Sequence, residues 1–246
     1  MANERLRTAL LENGITPHEL ASEVSVDTKT VERWVKGRTP HRRHRYQVAT
    51  RLGVDEGYLW PDALSREQVT IASASEILAV YPHRTEVPRD VWQRLFESAK
   101  EEIGVLVYAG LFLAEDRGLL SILRKKAANG VRVRFLVGDP DDRNIGDRGE
   151  QEGVGDAMAA KIRNALVLYG PLRKTAGVEF RAHRTVLYNS IYRSDETVLV
   201  NTHVFGFPAP AAPVWHLRKV AGGEIAGIYL DSFETVWETA APLPED

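Results

Sequence analysis

The chain of 246 residues contains no cysteine and only two methionines. Without a thiol it forms no disulfide, no thiolate zinc site and no cysteine nucleophile. It has no run of about 18 apolar residues able to span a bilayer. Its first residues mix charge with a helical pattern, where a signal peptide would carry an unbroken apolar core. A cytoplasmic protein with no membrane partner is therefore expected. Low-complexity tracts and short-period repeats are absent too, and an apolar fraction of 43% suffices for two packed cores.

Charge of either sign is not in excess overall, with 32 Lys and Arg against 34 Asp and Glu. The near-balance hides a local field. From Lys29 to Arg51 the chain carries Lys29, Arg33, Lys36, Arg38, Arg42, Arg43, Arg45 and Arg51 against Glu32 alone, whereas the stretch before it is mainly acidic. A positive surface of this kind is what a phosphate backbone requires.

The basic field coincides with the most legible local pattern in the sequence, TPHELASEVSVDTKTVERWVKG over residues 16–37. Thr16 as cap, Pro17 in the first turn and Glu19 three residues on form a capping box, so a helix should start at Pro17. Ser25 and Val26 turn the chain, and Asp27 caps a second helix that Gly37 stops. In it Val31, Trp34 and Val35 point inward. Further helices are expected at 3–13, around Tyr46 to Leu52, and after Asp55, giving five.

This stretch resembles the Cro/repressor (xenobiotic-response-element) family of helix-turn-helix regulators, over about residues 3–60. The resemblance implies that the second helix enters the major groove, with Thr28, Lys29 and Arg33 as base readers. Lys36, Arg38, Arg42 and Arg43 complete the expected DNA-binding set. The partner is then double-stranded DNA with a palindromic operator.

Residues 63–75 are weakly patterned and are expected to link a head at 1–62 to a larger domain at 76–246. That domain should begin with a helix over about 88–101, followed by a buried strand in the apolar run Ile103 to Leu113. A helix from Leu119 to Ala128 and an alternating strand from Val131 to Val137 follow. Strand, helix, strand is a βαβ unit, so the sheet should be partly parallel. Gly138 to Gly155, rich in glycine and aspartate, reads as a long binding loop or lid. A helix over about 156–169, a strand at Val178 to Ala182, a hairpin around Ser194 to Glu196, a strand pair about Gly222 and Gly223, and a closing helix from Ser232 to Thr239 complete the pattern. The fold class is multidomain: an all-α, five-helix head and an α/β domain with a mixed sheet.

VLVYAGLFL, GVRVRFLVGDPDD and the hairpin region from His183 look like one half of a phospholipase D-type domain. That superfamily carries His-x-Lys-x4-Asp, in which the His is the nucleophile and the Lys stabilises phosphate charge. Here His183 stands in place, but Thr185 and Ser190 occupy the Lys and Asp positions. The expectation is no catalysis; the alternative is a DNA-targeted phosphodiesterase or nuclease with His183 as nucleophile. A third reading makes the head a protein-interaction module.

Strand alternation puts Tyr188 with Ser190 and Asn201 with His203. With His183, and with Arg148 and Glu152 closing from the glycine-rich loop, these residues are expected to line a polar site for a small-molecule effector. No cofactor or metal is expected: His41 and His44 lie among arginines, and the Gly153-x-Gly155 piece lacks the lysine of a phosphate-binding loop. Single-half phospholipase D-type proteins pair into symmetrical dimers, and the resemblance implies a homodimer here.

Overall fold

The computed structural model describes residues 2–63 and 66–243. The chain divides into two compact units: residues up to Glu76 together with Val220–Glu224, and Ile77–Lys219 together with the residues from Ile225 onward.

The smaller unit contains α1 (Glu4–Glu12), α2 (Pro17–Glu23), α3 (Thr28–Val35), α4 (Arg42–Leu52), α5 (Glu56–Leu59) and α6 (Arg66–Glu76). Its core is Leu6, Leu10, Leu20, Val31, Trp34, Val48, Leu52 and Leu59 with their neighbours. The start of α2 has both halves of the capping box: Glu19 N donates to Thr16 Oγ1 at 3.2 Å and Thr16 N donates to Glu19 Oε2 at 2.7 Å. Ser25, at φ 56°, turns the chain between α2 and α3, and Asp27 caps α3 by accepting from Lys29 N at 2.8 Å. The segment expected to be a linker is helical over Arg66–Glu76. Its Ala-Ser-Ala-Ser end, which lacks Gly and Pro, tolerates helix more readily than a turn-rich linker would. Positions 64 and 65 of that expected linker lie outside the described residues.

In the larger unit the order is β1 (Ile77–Tyr81), α7 (Arg89–Ser98), β2 (Glu102–Val107), α8 (Leu111–Glu115), α9 (Arg117–Ala128), β3 (Arg132–Gly138), α10 (Arg143–Gln151) and α11 (Ala157–Arg173). Then come β4 (Val178–His183), β5 (Asn189–Ser194), β6 (Thr197–Thr202), β7 (Val214–Arg218), α12 (Ile225–Thr239) and β8 (Ala241–Pro242). The sheet runs β1-β7-β6-β5-β2-β3-β4-β8. β2, β3 and β4 are parallel, and the other pairings are antiparallel, so the sheet is mixed. Every residue of β2 is buried, as a strand covered on both faces requires.

Several boundaries differ from the sequence expectations. The apolar run Ile103 to Leu113 is a strand only to Val107, and Leu111–Glu115 is helical. Gly110, at φ 63°, breaks the run; a Cβ there would lie 2.9 Å from Val107 Cγ2. Half of the expected lid from Gly138 to Gly155 is α10, capped by Asp142. Gly149 serves close packing: a Cβ there would lie 2.1 Å from the Gly155 carbonyl oxygen. Helix α11 continues through Gly170 and Pro171. No strand pair forms about Gly222, and α12 starts seven residues before the expected Ser232.

The hairpin between β5 and β6 is tied to β2 by Asp195. This residue, at φ 49°, accepts from the backbone N–H groups of Lys100 at 2.8 Å, Glu101 at 3.0 Å and Glu102 at 2.8 Å. Burial alone would raise its carboxyl pKa, but the three amides hold it below the ordinary aspartate value. Replacing Asp195 by Ala should cost about 2–3 kcal/mol, because three amides lose a charged acceptor. Asp195→Asn, which tolerates the left-handed backbone, should cost less; urea unfolding of both variants checks the order.

Candidate functional site

A cavity of about 290 Å³ lies at the carboxyl end of β2. This is where open α/β sheets with parallel strands hold ligands. Its lining includes Tyr108, Ser190, His203 and Glu152, with Arg84 and Lys161 also on the wall.

The polar groups on this wall are ordered by backbone acceptors and donors. His203 Nδ1 lies 3.1 Å from the Leu187 carbonyl oxygen, which can only accept, so Nδ1 carries the proton. Nε2 is then an acceptor for the Ser190 hydroxyl at 3.0 Å. The His203 ring stacks on Tyr108 at 5.5 Å and 19°. The Tyr108 hydroxyl accepts from Leu187 N at 2.8 Å. Burial, aided by Arg148 and Arg84, pulls the His203 pKa down to about 4. The imidazole is therefore neutral at pH 7.

His183 is in a different situation. It is 1% exposed, donates from Nε2 to the Val107 carbonyl at 3.0 Å, and accepts at Nδ1 from Thr185 N at 3.3 Å. Burial again lowers its pKa. In this arrangement neither ring nitrogen is free to attack phosphorus, and His183 does not line the cavity. It approaches Tyr108 at 6.0 Å from ring centre to ring centre, so the two histidines share that tyrosine as a neighbour.

The other expected ligand residues are distributed unevenly. Ser190 pairs directly opposite Asn201 in the β5–β6 register, yet the Asn201 amide turns to the Ala212 and Pro213 carbonyls at 3.3 and 3.2 Å. Tyr188 does not share the face of Ser190: it precedes the first residue of β5, where alternation has not begun, and is 81% exposed. Arg148 and Glu152 form a buried ion pair at 2.6 Å; only Glu152 reaches the cavity wall. They sit on and just after α10, so they do not close over the site as a lid loop.

Tyr108, Arg84, Phe112 and Lys161 were not anticipated. Tyr108 was accessible to the rule that ligands gather beyond the ends of parallel strands. Arg84 comes from the turn after β1, a strand that the sequence pattern did not reveal. Its guanidinium lies 4.1 Å over the Phe112 ring, and its backbone N donates to the Ala212 carbonyl at 3.0 Å.

The expected DNA-binding residues form a second group, on the smaller unit. Lys29, Arg33 and Lys36 follow a helical i, i+4, i+7 spacing and are exposed, as are Arg38, Arg42 and Arg43. Thr28 is partly buried, with its hydroxyl 3.1 Å from His18 Nδ1. Arg45 and Arg51 of the basic stretch are already paired within the unit, with Glu56 at 2.7 Å and with Glu23 at 3.0 Å.

No family model matches the chain, and no curated protein matches it. Among solved structures it is similar to a phospholipase D family member, Nuc from Salmonella typhimurium, at 16% identity and a TM-score of 0.38 over 64% of this chain and 91% of that one. It is similar to NucT from Helicobacter pylori at 10% identity and a TM-score of 0.43, over 67% and 98% of the two chains. It is also similar to TrmBL2, an archaeal chromatin protein described as showing a novel mode of DNA binding, at 18% identity and a TM-score of 0.43, over 98% and 93%. The likeness is one of fold. It corrects one expectation: the altered Lys and Asp positions were read as excluding catalysis, whereas a phospholipase D family member is among the similar structures.

The neutral His203 has a consequence for stability. The unfolded chain, with an ordinary histidine pKa near 6.5, binds a proton that the folded chain refuses down to about pH 4. Stability is complete above pH 6.5 and falls as pH drops toward 4, by at most about 3 kcal/mol from this group. His203→Gln should flatten the slope in that window, as read by urea midpoints from pH 7 to 4.

Proposed function

We propose that the chain is a sequence-specific DNA-binding regulator of transcription, which reads duplex DNA with α3 and binds a small effector in the cavity of its larger unit. The observation that carries the DNA half is the state of the cations. Lys29, Arg33, Lys36, Arg38, Arg42 and Arg43 are exposed and form no ion pair among the described residues, while Arg45 and Arg51 are neutralised internally. Cations left without internal partners are available to displace counterions from phosphate, and those on one helix face can reach base edges.

Arg33→Ala should relax sequence preference at about one base pair, with a loss of roughly 1–3 kcal/mol confined to the preferred duplex. Lys36→Ala and Arg42→Ala should weaken binding to all duplexes alike and reduce the salt slope by about one. Fluorescence anisotropy with selected and scrambled duplexes over a salt series separates the two outcomes. Equal effects from all three variants would count against groove reading.

A palindromic operator calls for two copies, and we place their contact on the larger unit. Val186, Tyr188, Val204, Phe205 and Phe207 are exposed apolar side chains on two segments joined by the bond from His203 N to the Tyr188 carbonyl at 2.9 Å. Clustered exposed apolar side chains are costly in a monomer unless a partner covers them. The double substitution Tyr188→Asp and Phe205→Asp should convert a dimer to a monomer in sedimentation velocity while leaving the thermal unfolding curve nearly unchanged. A monomeric natural chain at micromolar concentration would refute this arrangement.

A further inference from the structure

The cavity that the proposed function assigns to an effector is uneven in charge. Of its ionisable lining groups, His203 is neutral, Tyr108 is kept neutral by burial that raises its pKa, and Glu152 is neutralised by Arg148 at 2.6 Å. Arg84, Lys161 and Glu115 remain. Glu115 is exposed and lies outside ion-pair distance of both cations, and neither Arg84 nor Lys161 has a carboxylate partner among the described residues. Two cations thus border one cavity with their charges unanswered.

The remaining lining is mainly apolar and stiff. Leu111, Phe112 and Met158 contribute to it, as do Pro208 and Pro210. The proline segment is anchored by His83 Nδ1, which donates to the Ala211 carbonyl at 2.8 Å, and by the bond from Arg84 N to Ala212 O at 3.0 Å. The Arg84 guanidinium carbon lies 4.1 Å over the Phe112 ring, a cation–π contact that uses none of its N–H donors as hydrogen bonds. Ser190 and His203, bonded at 3.0 Å, supply the neutral polar part of the wall. At about 290 Å³ the cavity is at the small end of ligand pockets.

From these features we infer that the effector is a small organic anion: a flat apolar body of one or two rings against Phe112, Met158 and the prolines, with its carboxylate held by Arg84 and Lys161. A carboxylate matches the planar guanidinium edge. A neutral body of the same shape would fill the apolar part and leave both cations unanswered, and a bare inorganic anion would leave the apolar walls unfilled. This deepens the effector half of the proposed function and rests on it.

The test uses the full chain and 2-naphthoate, followed by its own fluorescence, with the isosteric 2-naphthamide and inorganic phosphate as controls. Naphthoate should bind saturably and at least about tenfold more tightly than the amide. Lys161→Gln, on a partly exposed face of α11, should weaken naphthoate about tenfold and leave the amide unchanged, and Arg84→Gln should do the same. Phosphate at equal concentration should not displace naphthoate. No saturable binding of naphthoate, equal binding of acid and amide, an unaltered Lys161→Gln chain, or displacement by phosphate would each overturn the inference. Duplex binding is measured on the same preparations: naphthoate binding without duplex binding would sink the DNA reading alone, and the converse would sink only this one.

Discussion

A carboxylate buried at the start of the central strand constrains much of the larger unit. Glu102 is 3% exposed, and a charge so placed must be paired or it destabilises the fold severely. Arg132 reaches it at 2.9 Å and Arg193 at 3.2 Å, and Arg134 contacts it directly. Glu234 of α12 answers Arg134 at 2.6 Å and Arg193 at 2.5 Å, and the Arg134 guanidinium lies over Phe233 and Trp237. The network is possible because Gly104 stands between Arg134 on β3 and Arg193 on β5; a Cβ there would lie 2.7 Å from both Arg193 Cγ and Phe233 Cζ. One cluster thereby fixes the register of three strands and the seat of a helix. Since a slip of one residue would turn every side chain to the other face, the same cluster determines which residues of β5 meet the cavity.

The parts of this architecture legible in the sequence were those with local causes. The capping box at Thr16 and Glu19, the Asp27 cap and the Gly53 stop of α4, at φ 66°, follow from chemistry within four residues. The alternation of VRVRFLV and the helix that precedes it were equally local. What escaped was set by distant packing. β1 was missed because its short alternating pattern is ordinary, and it becomes a strand by pairing with β7, over 130 residues away. The glycine-rich segment read as a loop because glycine disfavours helix, but the Asp142 cap and the close approach at Gly149 make helix the better packed choice.

The site was half legible for the same reason. Counting along the hairpin sets Ser190 opposite Asn201, whereas the residue that Ser190 touches is His203, one place beyond the end of β6. Tyr188 failed because counting assumed the strand began before it does. His183 marked a family signature, yet its two nitrogens are spent on the backbone of Thr185 and Val107, and the imidazole on the cavity wall is His203. Arg84 and Lys161 carried no signal, since isolated cations are the commonest surface residues. Only the fold shows that both border one cavity, and that neither is paired with a carboxylate among the described residues.

On the proposed reading, effector and DNA communicate through the pairing of two copies. The segments that bear the exposed apolar side chains, 186–188 and 204–207, flank the cavity residues Ser190, His203 and Pro208 in sequence, and His203 N is itself bonded to the Tyr188 carbonyl. A ligand that moved His203 or the proline segment would therefore alter the surface on which a second copy docks. It would shift DNA affinity only to the extent that it binds the paired and unpaired chains differently. Two linked half-site contacts gain from effective concentration, so a modest change in pairing becomes a larger change in operator occupancy. By reciprocity, operator DNA that favours the paired chain must change the affinity for effector by the same factor.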